Sequence, residues 1–456
     1  LQRGTELSFP AAFLERMKED LKEEYPDFLQ SLEGEEQKAL RLNPLSGFGG
    51  FDGRPGSDWK LERVPWEENG YYYDAADSVI SPGKHPLHYA GAYYIQEASA
   101  MYPVRLLDPK PGEAVLDLCA APGGKSTQIA ALMANEGLLI SNEIIPSRAA
   151  VLSSNIERMG IRNTVVTNLD PAGISSLFPA FFDRILVDAP CSGEGMLRRG
   201  DAARENWSEE NVRMCAQRQR DILDEAAKCL KCGGTLVYST CTFSGMEDED
   251  NIDLFLKDHE DYELLKMEKL YPHRIRGEGH FAALLRRKGI RTEPDLKNKG
   301  KKSRPGCPKR DLKILLEGLG DILGEDMLLK IPPERIISFK GAFYLLPEGI
   351  WGVDGIKTLR PGLCLGVLKK DRFEPAHSLA SALRYGEAKR CFDLKASDRR
   401  AFDFLSGLSL SLDENEASGL KDGWCLISFE GAGAGFGKKT GSIIKNHYPK
   451  GLRINI

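Results

Sequence analysis

Residues 114–127 read AVLDLCAAPGGKST. Residues 114–118 are a short apolar run of the kind that forms a buried parallel strand. The run ends in a glycine-containing turn, and residues 126–133 have the composition of a following helix. Strand, tight turn and helix together place a cofactor against a helix N-terminus, outside the carboxyl end of a sheet. A phosphate-cradling Gly-x-x-x-x-Gly-Lys-Ser/Thr loop would need glycine at 119 ahead of Gly124, Lys125 and Ser126, and residue 119 is cysteine. The Gly-x-Gly-x-x-Gly dinucleotide pattern is also absent. The stretch therefore predicts a nucleoside-type cofactor on a short loop, with Asp117 at the strand end to hold its polar or cationic part.

Outward from this stretch the chain alternates between strand and helix. Strands are expected near residues 138–141, 164–167, 184–187 and 235–238, with 281–285 among the last. Helices are expected near 126–133, 146–159 and 209–229, and Pro146 suits a first helical turn. Short buried strands alternating with helices make a doubly wound parallel sheet. Upstream, residues 10–32 read as one or two helices carrying Phe13, Leu14, Met17 and Leu21 on one stripe, and 38–45 as a short strand. Residues 47–57 are a glycine-rich loop, 82–88 a loop rich in Pro, Gly and His, and 91–101 (GAYYIQEASAM) ends as a helix. Downstream, 311–316 predicts a helix, and 335–346, 363–369, 424–430 and 441–445 predict strands. The expected division is 1–88, a small N-terminal α/β auxiliary domain; 89–288, the core; 289–308, a basic linker; and 309–456, a β-rich region of one or two small subdomains.

The chain has 456 residues, 41% hydrophobic and 28% charged, a globular composition with room for several domains. No apolar run reaches the ~20 residues needed to cross a bilayer. No basic segment followed by an apolar one opens the sequence, so no signal peptide is expected. Ten scattered cysteines fit reduced thiols in the cytoplasm better than a disulfide scaffold. Net charge is -5, yet residues 286–313 hold twelve Lys or Arg against Glu293, Asp295 and Asp311, a solvated linker or a contact for a phosphate backbone.

Glu143 stands just beyond the second strand, where an acid can accept both ribose hydroxyls, and Asp170 beyond the third could meet an adenine. Residues 182–199 read FDRILVDAPCSGEGMLRR, delivering Asp188 and then Cys191 to the crevice of the cofactor loop. Residues 233–251 read GGTLVYSTCTFSGMEDEDN and bring Cys241 to the next strand end. Two thiols at neighbouring strand ends suggest a thiol nucleophile with a second thiol beside it. Cys229 and Cys232 form a Cys-x-x-Cys with no second pair or nearby histidine at ligand spacing, so no metal is expected. His85, His88, His273 and His280 are candidates to line a surface near the site.

Residues 117–127, 188–195 and 239–241, with 91–101 and 277–285 (GEGHFAALL), resemble the Nol/Nop/Sun family of RNA cytosine-5 methyltransferases over residues 1 to about 288. Residues 435–453 (GFGKKTGSIIKNHYPKGLR) resemble the extra C-terminal domain of the RsmF-type rRNA enzymes of that family. The resemblance implies a Rossmann-like methyltransferase core, a PUA-like C-terminal region, and S-adenosylmethionine as cofactor. It implies a cofactor site made by Asp117, Cys119, Ala120, Ala121, Pro122, Gly123, Gly124, Lys125, Glu143, Arg148, Asp170, Asp188 and Pro190. It implies Cys241 as the nucleophile toward cytosine C6, Cys191 as the residue assisting product release, and Asp188 between cofactor and base. The implied substrate is RNA, 16S rRNA within or near the small ribosomal subunit, methylated by a cytoplasmic monomer without metal or membrane. Transfer to tRNA or 23S rRNA is the alternative of the same chemistry. A non-catalytic RNA-binding assembly factor is the alternative of another class, and the intact thiol pair and cofactor loop speak against it. A nucleotide hydrolase is weakened by Cys119.

Overall fold

The computed structural model describes residues 9–51, 59–76, 78, 80–290, 307–350, 353 and 355–455. Most of the basic stretch, 291–306, and part of the glycine-rich loop, 52–58, lie outside the described residues.

Two helices open the chain, Ala11–Leu21 and Tyr25–Glu33. Phe13, Met17 and Leu21 recur every fourth residue and are buried, as are Phe28 and Leu32. They pack with Leu197, Trp207 and Phe243, so the helices lie on loops that leave the central sheet. A four-stranded sheet follows, made of β1 (Ala39–Leu42), β2 (Lys60–Arg63), β3 (Gly70–Asp74) and β4 (Tyr93–Ile95), in the order β2-β3-β1-β4. β4 thus belongs to this first sheet by pairing with β1.

The core strands are β5 (Ala114–Asp117), β6 (Leu138–Asn142), β7 (Thr164–Thr167), β8 (Phe182–Asp188) and β9 (Leu230–Thr240), all parallel, extended by the antiparallel β10 (Tyr262–Leu270) and β11 (His280–Arg287). Alternate residues serve opposite faces: Leu116, Ile185 and Leu236 join one buried cluster, and Val115, Leu186 and Val237 another. Burial on both faces explains why these strands read as continuous apolar runs. The helices Gly124–Leu132, Pro146–Arg158 and Glu209–Cys229 lie where the apolar periodicity placed them.

Beyond the basic stretch come the helix Lys309–Ile322 and strands β12 (Ile336–Phe339), β13 (Ala342–Leu345), β14 (Thr358–Arg360), β15 (Leu363–Lys369) and β16 (Arg372–Pro375). β12, β13, β15 and β16 form a sheet of their own, whereas β14 pairs with β7 and completes the central sheet, in the order β10-β11-β9-β8-β5-β6-β7-β14. The single strand expected over 335–346 is a hairpin, because Lys340 and Gly341 both adopt positive φ (50° and 81°) and reverse the chain. The last unit has β17 (Cys391–Leu394), β18 (Leu410–Ser411), β19 (Gly423–Phe429), β20 (Ala432–Thr440) and β21 (Ile443–Asn446) in the order β17-β19-β20-β21-β18. The α/β core of Rossmann-like type thus carries an N-terminal α/β domain and a β-rich, PUA-like C-terminal region. No helix among the described residues is long and apolar enough to cross a membrane.

Candidate active site

The chain builds β5, β6 and β7 outward on one side, then returns to place β8 on the other side of β5. The carboxyl ends of β5 and β8 flank the point where strand order reverses, the place where open α/β sheets bind ligands. Asp117 ends β5 and Asp188 ends β8. A cavity of about 460 Å³ opens there, lined by the turn residues Cys119 to Pro122, Gly124 and Lys125, and by Asp117, Arg148, Asp188, Cys241 and His280.

The turn between β5 and its helix has a cis Ala121–Pro122 bond, and Gly123 caps the helix at φ 113°. Ser126 Oγ donates to Asp117 Oδ2 at 2.6 Å, while the buried Oδ1 has no hydrogen-bond partner. Burial pushes this carboxyl up to about 7. Glu143 is buried, accepts from the Ile145 N–H at 2.9 Å and has Arg148 at 3.5 Å. Arg148 also donates to the Ala121 carbonyl, tying the second strand end to the cofactor turn. An unpartnered buried carboxylate oxygen at one end, a second buried acid on the neighbouring strand and a helix N-terminus between them suit a nucleoside cofactor with a cationic amino-acid end. Cys119 lines the cavity as a thiol, its proton held by burial and by the carboxylates around it. Asp170 has one oxygen occupied as a helix cap, accepting from the Gly173 N–H. Pro190 turns its carbonyl away from the cavity to accept from Gln219.

Asp188 accepts from Lys125 Nζ at 2.8 Å on Oδ2 and from Ser239 Oγ at 2.9 Å on Oδ1, with His280 Nε2 at 3.5 Å. Burial pushes the Asp188 carboxyl up, but Lys125 and His280 outweigh it and hold the group below the usual carboxylate range. Lys125 is correspondingly held charged, while burial pushes His280 down. Cys191 follows β8 and Cys241 follows β9, and their sulfurs lie 3.2 Å apart. The Cys241 sulfur and burial together keep the proton on Cys191.

These distances bring Cys191, Cys241, Asp188, Asp117 and the cofactor loop into one crevice. Of the four histidines singled out, His280 alone lines it. His85 and His88 are half-buried against Trp59 and Tyr93 respectively, and His273 pairs with Glu24. The ion pair of Lys125 with Asp188 and the place of Ser239 went unseen in the sequence. Ser239 precedes Cys241 by two residues, and the register of β9 against β8 sets it opposite Asp188. Arg41 was missed too: it is buried, and reaches from β1 to Gln96, the Gly124 carbonyl and Thr127 on the cofactor helix.

Residues 104–286 match the family described as 16S rRNA methyltransferase RsmB/F, and residues 9–98 the N-terminal domain of 16S rRNA methyltransferase RsmF. Residues 324–383 match the first C-terminal domain of RsmF, and 391–454 its PUA domain. The ribosomal RNA small subunit methyltransferase F of Vibrio campbellii is 32% identical over 97% of each chain. The chain belongs to the RsmF family. The corresponding protein of Shewanella amazonensis is 32% identical over 86% of each chain. Among solved structures, a methyltransferase homologue from Pyrococcus horikoshii is 29% identical with TM-score 0.53, covering 62% of this chain and 96% of that one. NSun6 from the same organism shares the fold at 22% identity and TM-score 0.53, covering 62% of this chain and 100% of that one. As an RsmF-family protein the chain is an S-adenosylmethionine-dependent RNA cytosine-5 methyltransferase.

Proposed function

We propose that this RsmF-family enzyme methylates C5 of a cytosine in 16S rRNA of the small ribosomal subunit, acting as a cytoplasmic monomer through a covalent bond from Cys241 to C6 of the base. The observation that carries this reading is the pair of thiols 3.2 Å apart beside Asp188 at the cofactor cavity.

C5 of cytosine is a poor carbon nucleophile. Addition of the Cys241 thiolate at C6 moves the ring electrons onto C5, which then forms its bond to the methyl carbon. S-adenosylmethionine, when bound, supplies that methyl group from a sulfonium. Transfer of the C5 proton to solvent returns the electron pair to the C5–C6 bond and expels the Cys241 thiolate. Cys191 keeps its proton and can donate it toward the Cys241 sulfur, which stabilises that sulfur as an anion both before attack and on departure. Asp188 is an anion in this setting, so toward an extruded cytosine it accepts from the exocyclic amino group. Delivery of a proton to N3 through it must start from Lys125 or from solvent. Asp117, Glu143, Arg148 and the loop 119–125 orient the cofactor, with Asp170 and Pro190 as outer supports. A base inside a duplex must first be extruded, at a cost of a few kcal/mol. The N-terminal domain, which the pairing of β4 with β1 carries past residue 88, the basic linker and the C-terminal region position structured RNA on the core through backbone contacts.

Nucleoside mass spectrometry tests the reaction and the substrate together. Small subunits lacking the mark, naked 16S rRNA, 23S rRNA and tRNA are each incubated with the protein and S-adenosylmethionine. New 5-methylcytidine in subunits or 16S rRNA is expected, and methylation confined to tRNA or 23S rRNA would overturn the substrate assignment.

A further inference from the structure

Glu247 takes no part in the chemistry above, yet it is fully buried behind the two thiols. Its Oε2 accepts from the Ser192 N–H at 2.9 Å and from Gln219 Nε2 at 2.8 Å. Its Oε1 accepts from the Ser192 hydroxyl and, at 3.3 Å, from the Thr242 hydroxyl. Ser192 follows Cys191 and Thr242 follows Cys241, so one carboxylate is bonded to the neighbour of each sulfur-bearing residue. Its own backbone is fixed as well, its carbonyl accepting from the Tyr238 hydroxyl at 2.6 Å and from Asn251 at 3.2 Å. Gln219 extends the grip to the Pro190 carbonyl at 3.0 Å.

A buried carboxylate is costly unless donors surround it, and here four converge on it from three residues. Apolar side chains could fill the space between the helix Glu209–Cys229 and the strand ends, but they could not hold a backbone N–H and two hydroxyls on two different loops.

We infer that Glu247 is a positioning residue for the reaction, a clamp whose bonds to Ser192 and Thr242 hold the loops after β8 and β9 together and so set the distance between Cys191 and Cys241. The inference rests on the covalent reading above and extends it. Loosening the clamp leaves Cys241 on its strand end, able to attack, but lets Cys191 drift from the sulfur it must assist. Release of the methylated product then slows more than formation of the adduct. A misplacement of about 1 Å can cost roughly 100-fold in a catalytic step.

The test follows adduct decay by denaturing gel, with S-adenosylmethionine binding as the check on folding, since the hydrogen bonds of the Glu247 carboxylate go to Ser192, Gln219 and Thr242 and not to the cofactor loop. Glu247→Ala should bind cofactor normally, form the protein–RNA adduct and release it roughly 10- to 100-fold more slowly than wild type. Glu247→Gln should release within a few-fold of wild type. Its oxygen can take the two N–H groups, and the hydroxyls of Ser192 and Thr242 can turn to accept from its amide. Ser192→Ala, which removes the hydroxyl's bonds to Glu247 and, at 2.9 Å, to Thr242 while keeping the backbone, should slow release several-fold. Adding Glu247→Ala to Cys191→Ala should slow release no further than Cys191→Ala alone.

Release at the wild-type rate in Glu247→Ala and Ser192→Ala would overturn the clamp, as would equal slowing by Gln and Ala, or further slowing in the double variant. An adduct in Cys191→Ala with none in Glu247→Ala would remove the clamp and leave the covalent reading standing. Absence of an adduct in Cys191→Ala, with the wild type active, would remove the covalent reading itself.

Discussion

Cys191 Sγ lies 3.2 Å from Cys241 Sγ, although 50 positions separate the two residues in the chain. The parallel neighbours β8 and β9 pair Asp188 with Ser239 near their carboxyl ends, and the two thiols follow these paired residues by three and two positions. The register of a parallel pair thus creates the thiol pair. The Gly195 N–H, bonded to the Cys241 carbonyl at 2.9 Å, closes the two loops on each other.

Lys125 is the counter-charge that keeps Asp188 ionised, and Lys125→Met should expose this. A carboxyl held below its unfolded value near ~3.9 contributes stability above that pH and loses it as the pH falls through the folded value. The variant should therefore be less stable than wild type by about 3 kcal/mol at neutral pH, with the gap narrowing in acid. Urea unfolding at neutral and acid pH measures it, and a gap independent of pH would contradict the pairing.

Asp117 is pushed by burial in the opposite direction, up to about 7. Below that pH it carries a proton, and above it the buried, unpartnered Oδ1 is part of an anion in the cavity wall. Affinity for the cationic cofactor should rise roughly tenfold as the pH passes from ~6 to ~8. Calorimetric titration across this range should show the rise in wild type and its loss in Asp117→Asn. Equal slopes in the two proteins would assign the dependence to another group.

The parallel strands were legible because burial on both faces leaves an unbroken apolar signature, as in Leu138–Asn142. β10 was not, since it is largely exposed and carries Glu263, Lys266, Glu268 and Lys269. The helix Lys309–Ile322 runs past the expected end at 316, and Gly318 within it gives room to Phe373: a Cβ there would sit 2.5 Å from that side chain. β20 hides in glycines for a similar reason. Gly433 faces the Ala380 and Leu383 carbonyls, and Gly435 the Phe404 ring, so close packing removed the side chains that announce a strand. No local pattern could place β14 on β7, since nearly two hundred residues separate them. At the site, motif spacing located Asp188, Cys191 and Cys241, but the ion pair with Lys125 and the Glu247 clamp depend on contacts across the fold.

Gly160 reports on how the C-terminal region seats against the core. It has φ 66°, and a Cβ there would lie 2.3 Å from the Ser381 carbonyl oxygen. Gly160→Ala should lower stability by about 1–3 kcal/mol through backbone strain and by forcing that contact apart. Thermal unfolding measures the loss, and cleavage by a protease within residues 376–390 should quicken. An unchanged protein on both counts would contradict the tight contact.

The central claim is that Cys241 forms the bond to the base and Cys191 helps to break it. Its most direct measurement is peptide mass spectrometry of the Cys191→Ala protein after reaction with substrate RNA and S-adenosylmethionine, with Cys241→Ala beside it. The account predicts a retarded protein–RNA species in Cys191→Ala whose cross-linked nucleotide maps to Cys241, and neither adduct nor 5-methylcytidine in Cys241→Ala. A cross-link mapped to any other residue, or turnover in Cys241→Ala, would contradict it.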